Sequence, residues 1–190
     1  MHTISQYNPD SVVIFTDGSS SYPNNGTTAG GWAFHCKYKG DRADRYGYKE
    51  ETTNNEMELY AVLQALRFVP KGRKHIYPFT IYTDSKYVQN AICDWSKKWM
   101  AYGWKTSSGE DVKNKELINE AVYLYRSHCR LRLANIKWIR GHSGIPENEL
   151  VDQNAGYARK NKVTNWKDAD HRSFSNKPIY VPTPKVKLRA

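Results

Sequence analysis

Two short stretches of this chain read alike, and together they constrain its fold more than any other feature. The first is Val12-Val13-Ile14-Phe15-Thr16-Asp17-Gly18; the second is Phe79-Thr80-Ile81-Tyr82-Thr83-Asp84-Ser85. Each is a run of β-branched and aromatic residues, the composition of a strand, closed by Thr-Asp and a small turn-forming residue. The first run is apolar on both faces, which marks a central strand covered on both sides. Each Asp is therefore expected just past the carboxyl end of a buried strand, where open α/β sheets form their sites. If the two strands are parallel neighbours, the carboxylates meet, and like charges at short range call for a divalent cation.

The intervening chain can supply that arrangement. A second strand over 29–38, opened by Gly30-Gly31, turns at Lys39-Gly40-Asp41 into a third over 42–49, an antiparallel meander. The segment 18–26 between the first two strands reads as a loop, from its Ser, Asn, Gly and Pro content. Thr52-Thr53-Asn54-Asn55 opens a helix in which Leu59, Val62, Leu63, Leu66 and Val69 recur at helical spacing, stopped by Pro70 and Gly72. Glu58 is expected at the rim of that buried stripe. This helix is a crossover of the kind that joins parallel strands with right-handed sense. The crossover also contains the two meander strands, so adjacency of the Asp-bearing strands is expected rather than forced. After Asp84 the chain reads as helical through Ile92, and a further helix spans 113–128. A strand over 135–139 is followed by the loop Arg140-Gly141-His142-Ser143-Gly144. Pro146 then opens the last core helix, over 146–160.

Three domain segments follow: a lead-in over 1–10, a catalytic domain over 11–162, and an extension over 163–190. The extension carries six Lys or Arg against two acids, with three prolines and no helical period. It reads as basic and poorly packed. The net charge of +10 over 190 residues points to a polyanionic partner, most simply nucleic acid. Three cysteines, an odd number with no C-x-x-C spacing, argue against a disulfide framework or a structural zinc site and fit a reducing compartment, taken here as cytoplasmic. No signal peptide and no membrane-length apolar run is visible. A monomer without membrane association is expected.

Four acids stand out by position. Asp17 and Asp84 close strands, Glu58 lies near a helix start, and Asp152 lies in the helix after the His142 loop. Taken singly, each has an ordinary explanation as a turn-former, a helix-dipole acid or a solvated helix face. Gathered at one sheet edge, four carboxylates would hold two Mg²⁺ ions, which favour oxygen ligands and serve phosphodiester hydrolysis. The stretch 95–106 is distinctive too, with three Trp, one Tyr and three Lys in twelve residues.

Thr16-Asp17-Gly18, Thr53-Asn54-Asn55-Glu56-Met57-Glu58, Thr83-Asp84-Ser85, Gly103-Trp104-Lys105-Thr106, and Gly141-His142-Ser143-Gly144 with Pro146-Glu147-Asn148-Glu149 and Asp152 resemble ribonuclease H of type 1, in that family's order. The resemblance covers about residues 11–160. It implies a ribonuclease H-like α/β fold: a mixed five-stranded sheet with the first three strands antiparallel and the fourth and fifth parallel to the first, flanked by helices and carrying a basic handle. It implies an endonuclease that cleaves the RNA strand of RNA–DNA hybrids by two-metal hydrolysis, leaving 3′-hydroxyl and 5′-phosphate ends, in removal of RNA primers or R-loops. The metal-binding acids match Asp17, Glu58, Asp84 and Asp152, with Mg²⁺ as the metal and Mn²⁺ as a substitute. His142 matches the loop histidine that assists proton transfer or product release. Gly18, Asn24, Asn25, Asn54 and Asn55 would sense 2′-hydroxyls. Thr53 and Asn114 match the phosphate pocket for the DNA strand. Lys86 stands where a hybrid-contacting residue is expected. In the handle Lys97, Lys98 and Lys105 would face phosphates, while Trp95, Trp99 and Trp104 pack it, one of them reaching the surface.

Three other readings remain at this point. One is a relative with the same metal core but another substrate, such as a junction resolvase or a DNA exonuclease; the handle and the Asn-rich positions weigh against it. Another is a silent hybrid-binding module, for which the presence of all four acids and His142 gives no support. The third is a reverse transcriptase fragment. The start at Met1, with no polymerase part and only about ten residues before the first strand, favours a stand-alone enzyme lacking a separate N-terminal hybrid-binding domain.

Overall fold

Val13 and Phe15 are buried on one face of a sheet and Ile14 on the other, so the first apolar run is covered from both sides. The computed structural model describes residues 11–21, 28–69, 78–129 and 134–166. Its strands are β1 (Val12–Ser20), β2 (Ala29–Tyr38), β3 (Asp41–Glu50), β4 (Phe79–Thr83) and β5 (Ala134–Trp138), in spatial order β3-β2-β1-β4-β5. The meander β1-β2-β3 is antiparallel; β4 joins β1 and β5 joins β4 in parallel, giving the mixed sheet expected of the ribonuclease H-like class.

The helices fall on two faces. On one lie α1 (Asn54–Phe68) and α4 (Lys115–Cys129), together with a continuous helical run made of α2 (Lys86–Asn90), a π-helical turn (Ala91–Trp95) and α3 (Ser96–Ala101). On the other lies α5 (Pro146–Asn161), whose Val151 and Ala155 pack with Val13, Phe15 and Ala33. Thr53 caps α1, its side chain accepting from the Glu56 amide at 3.3 Å. Pro146 occupies the first turn of α5, where its missing N–H costs nothing.

Several expectations need correction. β1 does not end at Thr16. Gly18, Ser19 and Ser20 stay in the ladder opposite Trp32, Gly31 and Gly30, so Asp17 lies inside a strand rather than beyond it. Glu58 is buried, not at a rim, because α1 is wedged between the sheet and α4 and hides nearly its whole circumference from Met57 to Leu66. The helix after Asp84 does not stop at Ile92. It widens by one π turn and continues to Ala101, with the Ser96 hydroxyl donating to the Ile92 carbonyl at 3.1 Å. The helix stop at Pro70 and Gly72 lies outside the described residues.

The packed body also extends beyond Lys162. That residue caps α5 in the left-handed region at φ 56°, and the chain then runs back along β3, the edge strand. The Asn165 amide donates to Tyr46 O (3.0 Å), Tyr46 N to Asn165 Oδ1 (2.7 Å) and Tyr48 N to Thr164 Oγ1 (3.1 Å). Trp166 then packs edge-on against Phe34 and Phe68, with the Arg45 guanidinium 5.3 Å from its ring centroid. The reading of a poorly packed segment from 163 onward thus fails for 163–166; side-chain bonds to a strand edge leave no periodic signature. Residues 167–190 lie outside the described residues.

Candidate active site

Register brings the two aspartates together. Thr16 of β1 pairs with Thr83 of β4, so Asp17 and Asp84 are the next residues on adjacent parallel strands. Gly18 brings in the third acid: a Cβ there would lie 2.2 Å from the Glu58 amide nitrogen, so α1 approaches β1 at a distance that only glycine permits. Carboxylate oxygens of Asp17, Glu58 and Asp84 all lie within 4.8 Å of one another. Asp17 and Glu58 are each only 6% exposed.

Three acids this close, two of them buried, cannot all ionise in the absence of a cation. Burial, reinforced by the charges of Asp84 and Asp152, pushes Asp17 up to about 8, although the Gly18 amide donates to Asp17 Oδ1 at 2.8 Å. Burial, then Asp17 and Asp84, hold Glu58 well above the usual carboxylate range. Glu58 Oε2 is buried without a hydrogen-bond partner among the described residues. An orphaned buried oxygen beside two more carboxylates is a donor set suited to a hard divalent ion.

Asp84 is held from several directions. Asn148 Nδ2 donates to its Oδ2 at 3.3 Å, and a Cβ on Gly141 would come within 2.7 Å of the same oxygen. Its backbone carbonyl accepts from Trp138 Nε1 at 2.9 Å. Ser85 caps the next helix, accepting from the Val88 amide. Asp152 stands beside this trio rather than within it. Its carboxylate groups with His142 and Glu149, again within 4.8 Å, and its charge reaches Asp17. His142 has a φ of 49° and a side chain 79% exposed, with Nδ1 4.0 Å from Glu149 Oε2.

The remaining sequence-derived residues distribute around this centre. Asn54 Oδ1 accepts from the Ser20 amide at 3.2 Å, while Thr53 and Asn55 are exposed at the start of α1. Asn114 has a φ of 58° and precedes α4, its carbonyl accepting from the Ile118 amide. Lys97 and Lys98 are exposed on α3, but Lys105 is ion-paired with Asp111 at 2.7 Å. Trp95, Trp99 and Trp104 are half-buried against the core, so all three pack the protrusion. Lys86 is exposed, with its Nζ 4.5 Å from the Trp138 ring centroid. Asn24 and Asn25 lie outside the described residues.

Asn148 and Glu149 stand within a sequence motif, but sequence reasoning gave no site role to them or to Trp138. Asn148 was within reach, since it lies four residues before Asp152 on the same helical face. Trp138 was not, because its bond to Asp84 follows from the parallel register of β4 and β5.

A family model described as RNase H matches residues 9–160 of the chain. Ribonuclease H of Francisella tularensis subsp. novicida (strain U112) is 40% identical over 149 residues, covering 77% of this chain and 90% of that protein. Ribonuclease H of Orientia tsutsugamushi (strain Boryong) is 41% identical over 142 residues, 75% of this chain and 78% of that one. Among solved structures, LC9-RNase H1, described as a type 1 RNase H with the type 2 active-site motif, superposes with a TM-score of 0.69 at 29% identity, covering 85% of this chain and 77% of its own. The foamy viral protease-reverse transcriptase, solved in complex with an RNA/DNA hybrid, shares the fold at a TM-score of 0.59 and 18% identity, covering 79% of this chain and 20% of its own.

Proposed function

The chain belongs to the RNase H family, and from that membership we propose that it is an endonuclease hydrolysing the RNA strand of RNA–DNA hybrids, with divalent ions held by Asp17, Glu58, Asp84 and Asp152. The observation that carries the metal assignment is the trio Asp17, Glu58 and Asp84, in which Glu58 Oε2 is buried without a hydrogen-bond partner among the described residues. Two Mg²⁺ ions, for which Mn²⁺ can substitute, would supply charge neutralisation at the scissile phosphate and activation of the attacking water, leaving 3′-hydroxyl and 5′-phosphate ends.

The protein's own residues supply the rest. Asn148 and Trp138 hold Asp84 in place, and Gly18 seats Glu58 against Asp17. His142, exposed on its loop and within reach of Glu149, exchanges a proton with solvent or product. Asn54 and Asn55, at the start of α1 beside the trio, are suited to sensing the 2′-hydroxyls that only the RNA strand carries. Thr53 and Asn114 would take a DNA-strand phosphate, and Lys97 and Lys98 would grip the backbone without reading sequence. Such an activity serves the removal of RNA primers or R-loops.

The test is direct. Labelled RNA–DNA hybrid, duplex RNA, duplex DNA and single strands are incubated with the protein in Mg²⁺ or in EDTA. Cleavage is expected only in the RNA of the hybrid and only with Mg²⁺; equal cleavage of duplex DNA would overturn the reading.

A further inference from the structure

Trp138 is the last residue of β5 and lies in register beside Thr83, one residue before Asp84. It is 38% exposed, unusual for an indole at the end of a short strand beside a charged site. Its two polar relationships point in different directions. The indole N–H donates to the Asp84 carbonyl at 2.9 Å. The ring face carries the Lys86 ammonium at 4.5 Å, well within cation–π range. Its side chain also borders a cavity of about 740 Å³ whose lining includes Arg140 and His142. One side chain therefore touches the backbone of a proposed metal ligand, an exposed lysine cation, and the hollow beside the site.

We propose that Trp138 is a positioning residue with two effects: it fixes Asp84 for divalent-ion binding, and it holds the Lys86 ammonium at the cavity's edge as a contact for a backbone phosphate. The inference rests on the nuclease reading above. An unrestrained lysine loses several rotors when it binds a phosphate, whereas a lysine already laid on an aromatic face loses fewer. A carbonyl tied by an indole N–H keeps the next turn, and with it the Asp84 carboxylate, from drifting away from Asp17 and Glu58. Asn148 and Gly141 act on the carboxylate itself; Trp138 acts on the backbone that carries it.

Three variants separate the two effects. Trp138→Phe keeps a ring under Lys86 but removes the N–H. It should weaken Mg²⁺ binding, read by calorimetry without nucleic acid, about five- to ten-fold and lower kcat, while KM for the hybrid changes less than about two-fold. Lys86→Met should raise KM and reduce the slope of log affinity against log salt by about one, with Mg²⁺ affinity retained. Trp138→Leu removes both contacts and should show both sets of changes. In the unsubstituted protein the Trp138 indole N–H resonance should shift when Mg²⁺ is added alone, a readout that needs no variant to fold. The proposal is overturned if Trp138→Phe retains both kcat and Mg²⁺ affinity, if Trp138→Leu leaves the salt slope unchanged, or if the indole resonance ignores Mg²⁺. Absence of hybrid cleavage by the unsubstituted protein would instead overturn the nuclease reading, and the Mg²⁺ titrations would still decide the role of Trp138.

Discussion

Asp17 and Glu58 are both held protonated by burial and by their neighbours' charges, and Asp17 carries a direct consequence for stability. Its carboxyl titrates near 8 in the metal-free protein, against an ordinary value of 3.8. Between those values the folded chain holds a proton that the unfolded chain has released, so this group makes stability fall as pH rises from about 4 to about 8. The metal-free melting temperature should therefore drop over that range. Saturating Mg²⁺ should flatten the drop by taking the proton's place, and Asp17→Asn should make it shallower without metal, the remainder coming from Glu58. A metal-free profile that rises through this range, in a protein where Asp17→Asn changes nothing, would contradict the assignment. The same Asp17→Asn variant should lose turnover but retain hybrid binding, measured by gel shift in EDTA. Gly18 is the second sensitive position. Gly18→Ala sets a methyl 2.2 Å from backbone that cannot yield, so it should cost about 1–3 kcal/mol or more in urea unfolding. The surviving folded fraction should cleave poorly, because Glu58 is pushed away from Asp17.

Elements, more than residues, decide what was legible in the sequence. The both-faces-apolar character of Val12 to Phe15 announced a central strand, and helical spacing located α1 and α5 to within a residue or two. Thr-Asp closing two apolar runs announced the pair of acids. The extension of β1 through Ser20 was not legible, because Ser19 and Ser20 resemble a turn until Gly31 and Gly30 are known to lie opposite them. The burial of Glu58 was hidden for a similar reason, since it needs the glycine contact across α1 and β1. The protrusion from Trp95 to Asp111 shows the same split. Its composition disclosed a basic aromatic element, but not that Asp111 neutralises Lys105. Lys97→Gln and Lys98→Gln should each lower the salt slope of hybrid binding by about one. Lys105→Gln should lower it less, since that cation already has a partner; equal effects from all three would remove the distinction.

At the scale of the whole molecule, the segment Thr164 to Trp166 covers the outer edge of a sheet whose strands come from much earlier in the chain. The family match ends at residue 160, so this closure lies beyond the part shared with the family model. Trp166→Ala should reduce stability by about 2 kcal/mol through lost packing on Phe34 and Phe68, measured by urea denaturation. A chain ending after Lys162 should be less stable than one ending after Trp166; equal midpoints would mean that the bonds to Tyr46 and Tyr48 contribute nothing. The timing of synthesis adds a further consequence. Until the ribosome has made residue 166, Tyr46 and Tyr48 present bare amides on an edge strand, a template for pairing with another chain. More than a hundred residues separate Glu50 from Thr164. At bacterial-to-eukaryotic elongation rates that interval is roughly ten seconds, during which each nascent chain on a polysome carries an open strand edge near its neighbours.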